Sequence, residues 1–122
     1  MRKNKDTRGR SYFDIFDQQG QTDVSINYPG TIRAFHQHLE KEEIWFVIQG
    51  NFKVVMSDPL EVIYMSENDL LEIKRGRWHG LQVLGNEIGI IMEYAIEKFN
   101  VGKPDDFRKP WNEFDKWEIE KK

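Results

Sequence analysis

The chain has three histidines, His36, His38 and His79. Imidazole is the side chain best suited to moving protons near neutral pH, and it is also a common metal ligand. His36 and His38 are two residues apart in a run that reads as β-strand. Side chains alternate along a strand, so residues two apart project from the same face. The pair is expected to share its face with Ile32 and Ala34. Glu43 opens the next apolar run, and His79 comes after a turn-like Arg75-Gly76. Two imidazoles from one strand, a carboxylate from its neighbour and a third imidazole from a later strand form an N3O set. His36, His38, Glu43 and His79 could hold Zn, Fe, Mn, Ni or Cu, and the ligand set does not choose among them. Without a metal, the same histidines could act as general bases.

Positioning these residues requires a frame of strands. Short apolar runs split by turn residues predict strands at Tyr12–Phe16, Val24–Tyr28, Thr31–Phe35, Glu43–Gln49, Phe52–Ser57, Glu61–Met65, Leu70–Lys74, Trp78–Leu84 and Ile88–Ile96. Gly20, Pro29-Gly30, Gly50-Asn51, Asp58-Pro59, Glu67-Asn68-Asp69, Arg75-Gly76 and Gly85-Asn86 supply the breaks. Many short strands at this spacing predict an all-β sandwich or barrel. No long segment before residue 100 carries a helical apolar period. Residues 1–10 read as a loose basic arm or first edge segment, 11–100 as the barrel, and 101–122 as a charged tail. The tail is expected to be irregular or to form a short helix around 111–119, packed on the barrel by its tryptophans. One domain is expected over 1–122, because a chain of this length has room for a single core.

Composition narrows the function classes. The net charge of −3 lacks the basic excess of a nucleic-acid binder. Cysteine is absent, so disulfides, iron–sulfur clusters and thiolate-bound zinc are excluded. The charged start, MRKNKDTRGR, has no apolar run behind it. No signal peptide or membrane span is expected, and the cytoplasm is the simplest location.

The spacing of the histidines carries a resemblance. Gly30, five residues, His36, one residue, His38, four residues, Glu43, six residues and Gly50 is similar to the first motif of the cupin family. Asn68-Asp69, Gly76 and His79 resemble parts of the second motif, with Lys74 at its usual proline and Val83 at its usual asparagine. The resemblance covers residues 30–83. It implies a single small double-stranded β-helix, the cupin jelly-roll barrel.

The flanking residues resemble two nucleotide-sugar branches of that superfamily. Asp6-Thr7-Arg8-Gly9 before Phe13, Arg33-Ala34-Phe35-His36 and Gly76-Arg77-Trp78-His79-Gly80-Leu81 are similar to stretches of the RmlC-like dTDP-4-dehydrorhamnose 3,5-epimerases. Tyr94 and Phe99 fall where those epimerases carry two tyrosines. Lys103–Asp106 and Trp111 resemble the acidic turn and the tryptophan that those epimerases carry beyond the tyrosines. Arg33, His36 and His38, then Gln49-Gly50 and Lys53-Val54-Val55, resemble the dTDP-sugar 3,4-ketoisomerases.

Both resemblances imply an epimerase or isomerase for a nucleotide-linked 4-keto-6-deoxy sugar. They imply His36 as general base and Tyr94 as acid. Arg33 would meet a phosphate or the enolate oxygen. His38, Trp78 and Phe99 would line the substrate site, with Phe99 or Trp111 stacking on it. No organic cofactor is implied, and a divalent metal fits only the His36, His38, Glu43 and His79 set. Two other readings stay open: a metal-dependent cupin oxygenase or phosphosugar isomerase, and a non-catalytic sugar-binding cupin. From the residues alone, Tyr94 can equally be a packed core residue, since it matches Ile90 and Met92 in parity. Glu93, in the middle of an apolar strand, is a candidate second carboxylate, although a solvated outer face is the simpler expectation, and barrel packing is expected for Trp45. Exposed strand edges in small cupins favour pairing, so a homodimer is expected, with the N-terminal arm reaching the partner. No nucleic-acid or membrane partner is expected.

Overall fold

The computed structural model describes residues 1–16, 20–38, 42–57, 59–96 and 106–108, without the side chains of 34, 35, 38 and 106–108. The strands are β1 (Arg2–Asp6), β2 (Gly9–Phe13), β3 (Gln21–Asn27), β4 (Ile32–His38), β5 (Glu43–Gln49), β6 (Asn51–Ser57), β7 (Glu61–Met65), β8 (Leu70–Ile73), β9 (Trp78–Leu84), β10 (Gly89–Ala95) and β11 (Asp106–Arg108). Among the described residues there is no helix. The strands form a six-stranded sheet in the order β1-β2-β3-β10-β5-β8 and a five-stranded sheet in the order β11-β4-β9-β6-β7. All pairings are antiparallel.

Alternation along the strands builds the core. Trp45 and Val47 on β5, Ile73 on β8 and Ile91 on β10 point in from the first sheet. Phe52, Val54 and Met56 on β6, with Leu81 and Val83 on β9, meet them from the second. All nine are buried. Burying a side chain of this kind contributes roughly 1.5–3 kcal/mol, which is what holds two such sheets face to face.

Of the two forms expected for residues 1–10, the edge segment is the one found: residues 2–6 form β1 at the end of the six-stranded sheet, paired with β2 in the register Arg2↔Phe13 to Asp6↔Gly9. Other strands depart from expectation at their ends: β3 begins at Gln21 rather than Val24, and β4 runs on to His38 rather than stopping at Phe35. The strand expected to reach Phe16 stops at Phe13, because Asp14 takes a positive φ of 53° that ends extended pairing. The tail supplies β11, which pairs with β4 through Asp106↔His38 and Arg108↔His36. The helix expected around 111–119 lies outside the described residues.

The Asp6-Thr7-Arg8-Gly9 stretch is the turn of the first hairpin. Asp6 Oδ1 accepts the Arg8 backbone N–H at 2.8 Å, and Arg8 Nη2 meets Asp6 Oδ2 at 2.7 Å. Gly9 sits at φ +139°, and a Cβ there would stand 1.9 Å from the Ile26 carbonyl oxygen. Only glycine lets β2 approach β3 this closely. The Arg8 carbonyl then accepts the Tyr28 N–H at 2.8 Å and the Thr31 hydroxyl at 3.2 Å, tying the hairpin to the loop before β4.

Candidate functional site

A one-residue irregularity in β4 builds the site. Arg33 pairs with Leu81 and His36 with His79, so three steps on β4 match two on β9. Without that bulge, Arg33 and His36 would point to opposite faces. With it, both line one cavity of about 190 Å³ between β4 and the inner face of the first sheet. Arg8 from the hairpin turn and Asp23, Ser25 and Glu93 from β3 and β10 line it too.

Arg33 is held from behind. Its Nε donates to Asn27 Oδ1. Asn27 is completely buried, and its Nδ2 donates to Ser25 Oγ and to the Gly89 carbonyl, both at 3.1 Å. The brace thus grips the guanidinium at Nε. Burial pulls its pKa below the ordinary value and the like charge of Arg8 adds to this, while Asp6 and Glu93 oppose it. A guanidinium nevertheless stays charged at any working pH. The cavity therefore offers a desolvated cation beside an imidazole. That pairing suits an oxygen on which negative charge develops.

Asp23 and Glu93 are directly opposed across β3 and β10. Asp23 Oδ1 accepts the Asp14 backbone N–H at 2.9 Å and the Gln21 amide at 3.0 Å. It ties the end of β2 to β3.

Deeper in, His79 is fully buried and its ring lies 4.3 Å from that of His36, tilted by 59°. Trp45 meets it edge-on at 5.4 Å. Among the described residues, the buried Trp45 indole nitrogen has no hydrogen-bond partner. His79 Nδ1 lies 3.0 Å from the Arg77 carbonyl, so it carries the proton and donates. Nε2 then faces Glu43 Oε1 at 3.4 Å. Two ligand atoms on one tetrahedral cation, at bonds of about 2.0–2.1 Å, stand about 3.3–3.4 Å apart. A carbonyl behind Nδ1 is also the usual brace of a ligating histidine. Glu43 and His79 therefore fit a divalent cation as a pair, with His36 alongside. Among the described residues, no three such groups converge as a complete metal site. The His38 side chain lies outside them.

Two residues expected at the site are placed elsewhere. Trp78 neighbours His79 in sequence, and that adjacency turns it to the opposite face of β9. There it packs with Ile32, Val55 and Val62. Tyr94 shares β10 with Glu93 and likewise takes the other face. It lines a second cavity of about 240 Å³ with Ile44, Ile96 and Lys74, which Glu43 also borders, and a Cβ on Gly20 would stand 2.7 Å from its hydroxyl. Phe99, expected to line the substrate site, lies outside the described residues, as does Trp111. The structure brings together His36, Arg33, His79 and Glu43, places Glu93 on the inner face rather than the solvated outer one, and adds Arg8 and Asn27. The signal for Glu93 was a charge in the middle of an apolar strand; for Arg8 it was the D-x-R-G stretch.

No family model matches the chain. The chain is 33% identical to the spore coat polysaccharide biosynthesis protein SpsL of Bacillus subtilis, over 93% of itself and 86% of that protein. It is 28% identical to the probable low-salt glycan biosynthesis epimerase Agl13 of Haloferax volcanii, over 92% of itself and 84% of that protein. Among solved structures, the capsular polysaccharide assembling protein CapF of Staphylococcus aureus superposes with a TM-score of 0.79 at 26% identity. The match spans 87% of this chain but only 33% of CapF. A double-stranded β-helix protein of Klebsiella pneumoniae superposes at 0.70 with 19% identity, over 86% of this chain and 82% of that one. With the facing antiparallel sheets and the paired histidines on neighbouring strands, these relatives establish that the chain belongs to the RmlC-like cupin family of SpsL.

Proposed function

We propose that the chain is an epimerase or isomerase acting on a nucleotide-linked 4-keto-6-deoxy sugar, with His36 as the proton-transfer base. Protons on the carbons beside a ketone are acidic because the electrons left behind spread onto the oxygen. His36 removes one, the C–H electrons flow to the ketone oxygen, and an enolate forms. Arg33 is the cation for that oxygen, since it is the more enclosed of the two guanidiniums at the cavity. Arg8 is the more exposed, with 44% of its side chain open, and takes the diphosphate at the rim. The cavity is smaller than the ~300 Å³ lower end of ordinary ligand pockets, so it suits the sugar ring, with the nucleotide outside.

The observation that supports this reading is the β4 bulge, which brings His36 and Arg33 to one face. The names of SpsL and Agl13, a polysaccharide biosynthesis protein and a glycan biosynthesis epimerase, support a sugar substrate. The test is proton exchange. In D2O the protein should wash deuterium into dTDP-4-keto-6-deoxyglucose beside the ketone, and His36→Asn should slow this by about 10²–10⁴-fold. No exchange by the wild type would refute the proposal.

A second reading rests on the 3.4 Å approach of Glu43 and His79. It makes the chain a metal-dependent cupin, its cation held by His36, His38, Glu43 and His79. A divalent cation there would polarise a substrate oxygen as a Lewis acid. Stoichiometric metal in the purified protein, lost in Glu43→Gln, would favour it. We further propose a homodimer, to be checked by light scattering, and a cytoplasmic location. No described helix is long and apolar enough to cross a membrane.

A further inference from the structure

We infer that the outer face of the six-stranded sheet seats a second copy of this chain, across a two-fold axis that runs along the strands. This is the interface of the homodimer proposed above, and it does not depend on the sugar chemistry. The alternation that sends Trp45 and Val47 into the core sends Ile44, Phe46 and Ile48 outward on β5. Strand register extends that face across the sheet. One outward row runs Lys3, Tyr12, Val24, Met92, Phe46 and Leu70, from β1 to β8. The row on one side of it runs Lys5, Arg10, Ile26 and Ile90, with Ile48 at the register shift on β5. The row on the other side holds Tyr94, Ile44 and Glu72. Leu70 is 67% exposed, Ile44 42% and Ile48 36%. The outward residues of β6 in the other sheet, Lys53, Val55 and Ser57, are all buried. The open apolar face therefore belongs to one sheet, and an open face of this kind marks an interaction surface.

Charge names the occupant. One edge of the face is basic, with Lys3, Lys5 and Arg10 exposed on β1 and β2. The opposite edge is acidic. Glu67 and Asp69 are exposed in the turn into β8, and Glu72 is exposed on β8, where Lys74 meets it at 3.2 Å. The Asn68 N–H donates to the Val47 carbonyl and the Val47 N–H to the Asp69 carbonyl, which sets this turn near the level of the Lys5 and Arg10 row. A two-fold axis along the strands keeps each row at its level and exchanges the two edges. The basic edge of one copy then lies on the acidic edge of the other. Tyr12 meets the partner's Phe46, and Val24 meets the partner's Met92 at the centre. An axis across the strands would instead set lysine on lysine.

The area suffices. Six strands about 4.8 Å apart, with outward rows about 6.8 Å apart, give a face of about 600 Å². Two copies bury about 1,200 Å² between them, the lower end of the range for stable interfaces. Two sheets packed face to face in this way make an ordinary sandwich layer. The docked partner also covers β1, the strand that leads into the Asp6–Arg8 turn, and so steadies the arginine at the cavity rim.

Oligomeric state and cross-linking test this on the full chain. Light scattering should give a dimer for the wild type. Met92→Lys places a charge at the centre of the face and should weaken the dimer by about 10²-fold. The chain has no cysteine, so paired cysteines report the axis. Within one chain Tyr12 and Phe46 lie three strands apart, about 14 Å, too far for a disulfide. Under mild oxidation the double variant Tyr12→Cys, Phe46→Cys should form a covalent dimer, and neither single variant should. This cross-link carries the test if Met92→Lys fails to fold. A dimer unweakened by a folded Met92→Lys overturns the inference and leaves the homodimer standing. Cross-linking by Tyr12→Cys alone overturns the axis, because β2 would then meet β2. A monomeric wild type removes the interface and the homodimer together, and its flotation with phosphatidylcholine vesicles would make a lipid surface the occupant instead. Neither readout involves the sugar, so the proposed function stands or falls separately.

Discussion

Asn27→Ala should be among the most damaging single substitutions in the protein, although Asn27 is sealed from solvent and does not itself line the cavity. Asn27 is fully buried and makes three hydrogen bonds. Alanine removes the acceptor of a cationic donor, worth about 1.5–3 kcal/mol, and strips one donor from the buried Gly89 carbonyl, worth about 1 kcal/mol. The Ser25 hydroxyl can rotate, so its loss is counted as small. The expected cost is about 2.5–4 kcal/mol, a large share of a total stability of about 5–15 kcal/mol. At about 4 °C per kcal/mol for a domain of this size, Tm should fall by about 10–16 °C. Asn27→Asp is the control. It keeps an acceptor for Arg33 Nε, places a charge against the guanidinium, and gives up only the amide donor. It should cost about 1–2 kcal/mol, and the order of stability should be wild type, Asn27→Asp, Asn27→Ala. Urea denaturation monitored by circular dichroism measures this. An Asn27→Ala cost below about 1 kcal/mol, or Asn27→Asp falling below Asn27→Ala, would refute the argument that this amide holds the arginine.

The same geometry fixes three further outcomes. Gly9→Ala puts a Cβ against the Ile26 carbonyl at a disallowed φ, so the first hairpin should detach, read as loss of amide-exchange protection at β1 and β2. Asp6→Asn keeps the turn acceptor but loses the charge paired with Arg8, which holds the Asp6 carboxyl well below the usual carboxylate range. A depressed folded-state pKa stabilises above the unfolded value near 3.9 and is lost as pH falls through the folded one. The wild type should therefore outlast Asp6→Asn above about pH 4 in low salt, and thermal melts should converge under more acid conditions. Tyr94→Phe should leave deuterium exchange into the sugar unchanged; a collapse would return Tyr94 to the site.

The barrel was legible because its signals are local. Glycines and apolar runs mark turns and strands over a few residues, and the i, i+2 histidines carry a spacing that alternation alone interprets. The site was less legible because it depends on register between distant strands. Arg33 has the wrong parity for the pocket until β9 pairs with β4 across a bulge. Glu93 and Tyr94 are adjacent, and only pairing with Asp23 and Trp45 decides which faces inward. Trp78 reads as a partner of His79 because it is next in sequence, yet adjacency on a strand is what separates two side chains. Strand β11 has no apolar run to announce it; it pairs at the open edge of β4.

The irregular pairing in β4 also bears on how such a pocket could arise or disappear. Substitutions change the group at a position but leave its orientation alone. Removing one residue between Arg33 and His36 would instead swing the arginine to the far side of the sheet while the histidine kept its place. The arginine would then lie on the face where Trp78, Ile32 and Val62 pack against Val55, and the imidazole would lose its cationic neighbour with every side chain still encoded. A lineage could thus gain or lose its anion-stabilising group by a change in chain length of one residue. Related chains would be better sorted by counting residues between these two positions than by asking whether both are present.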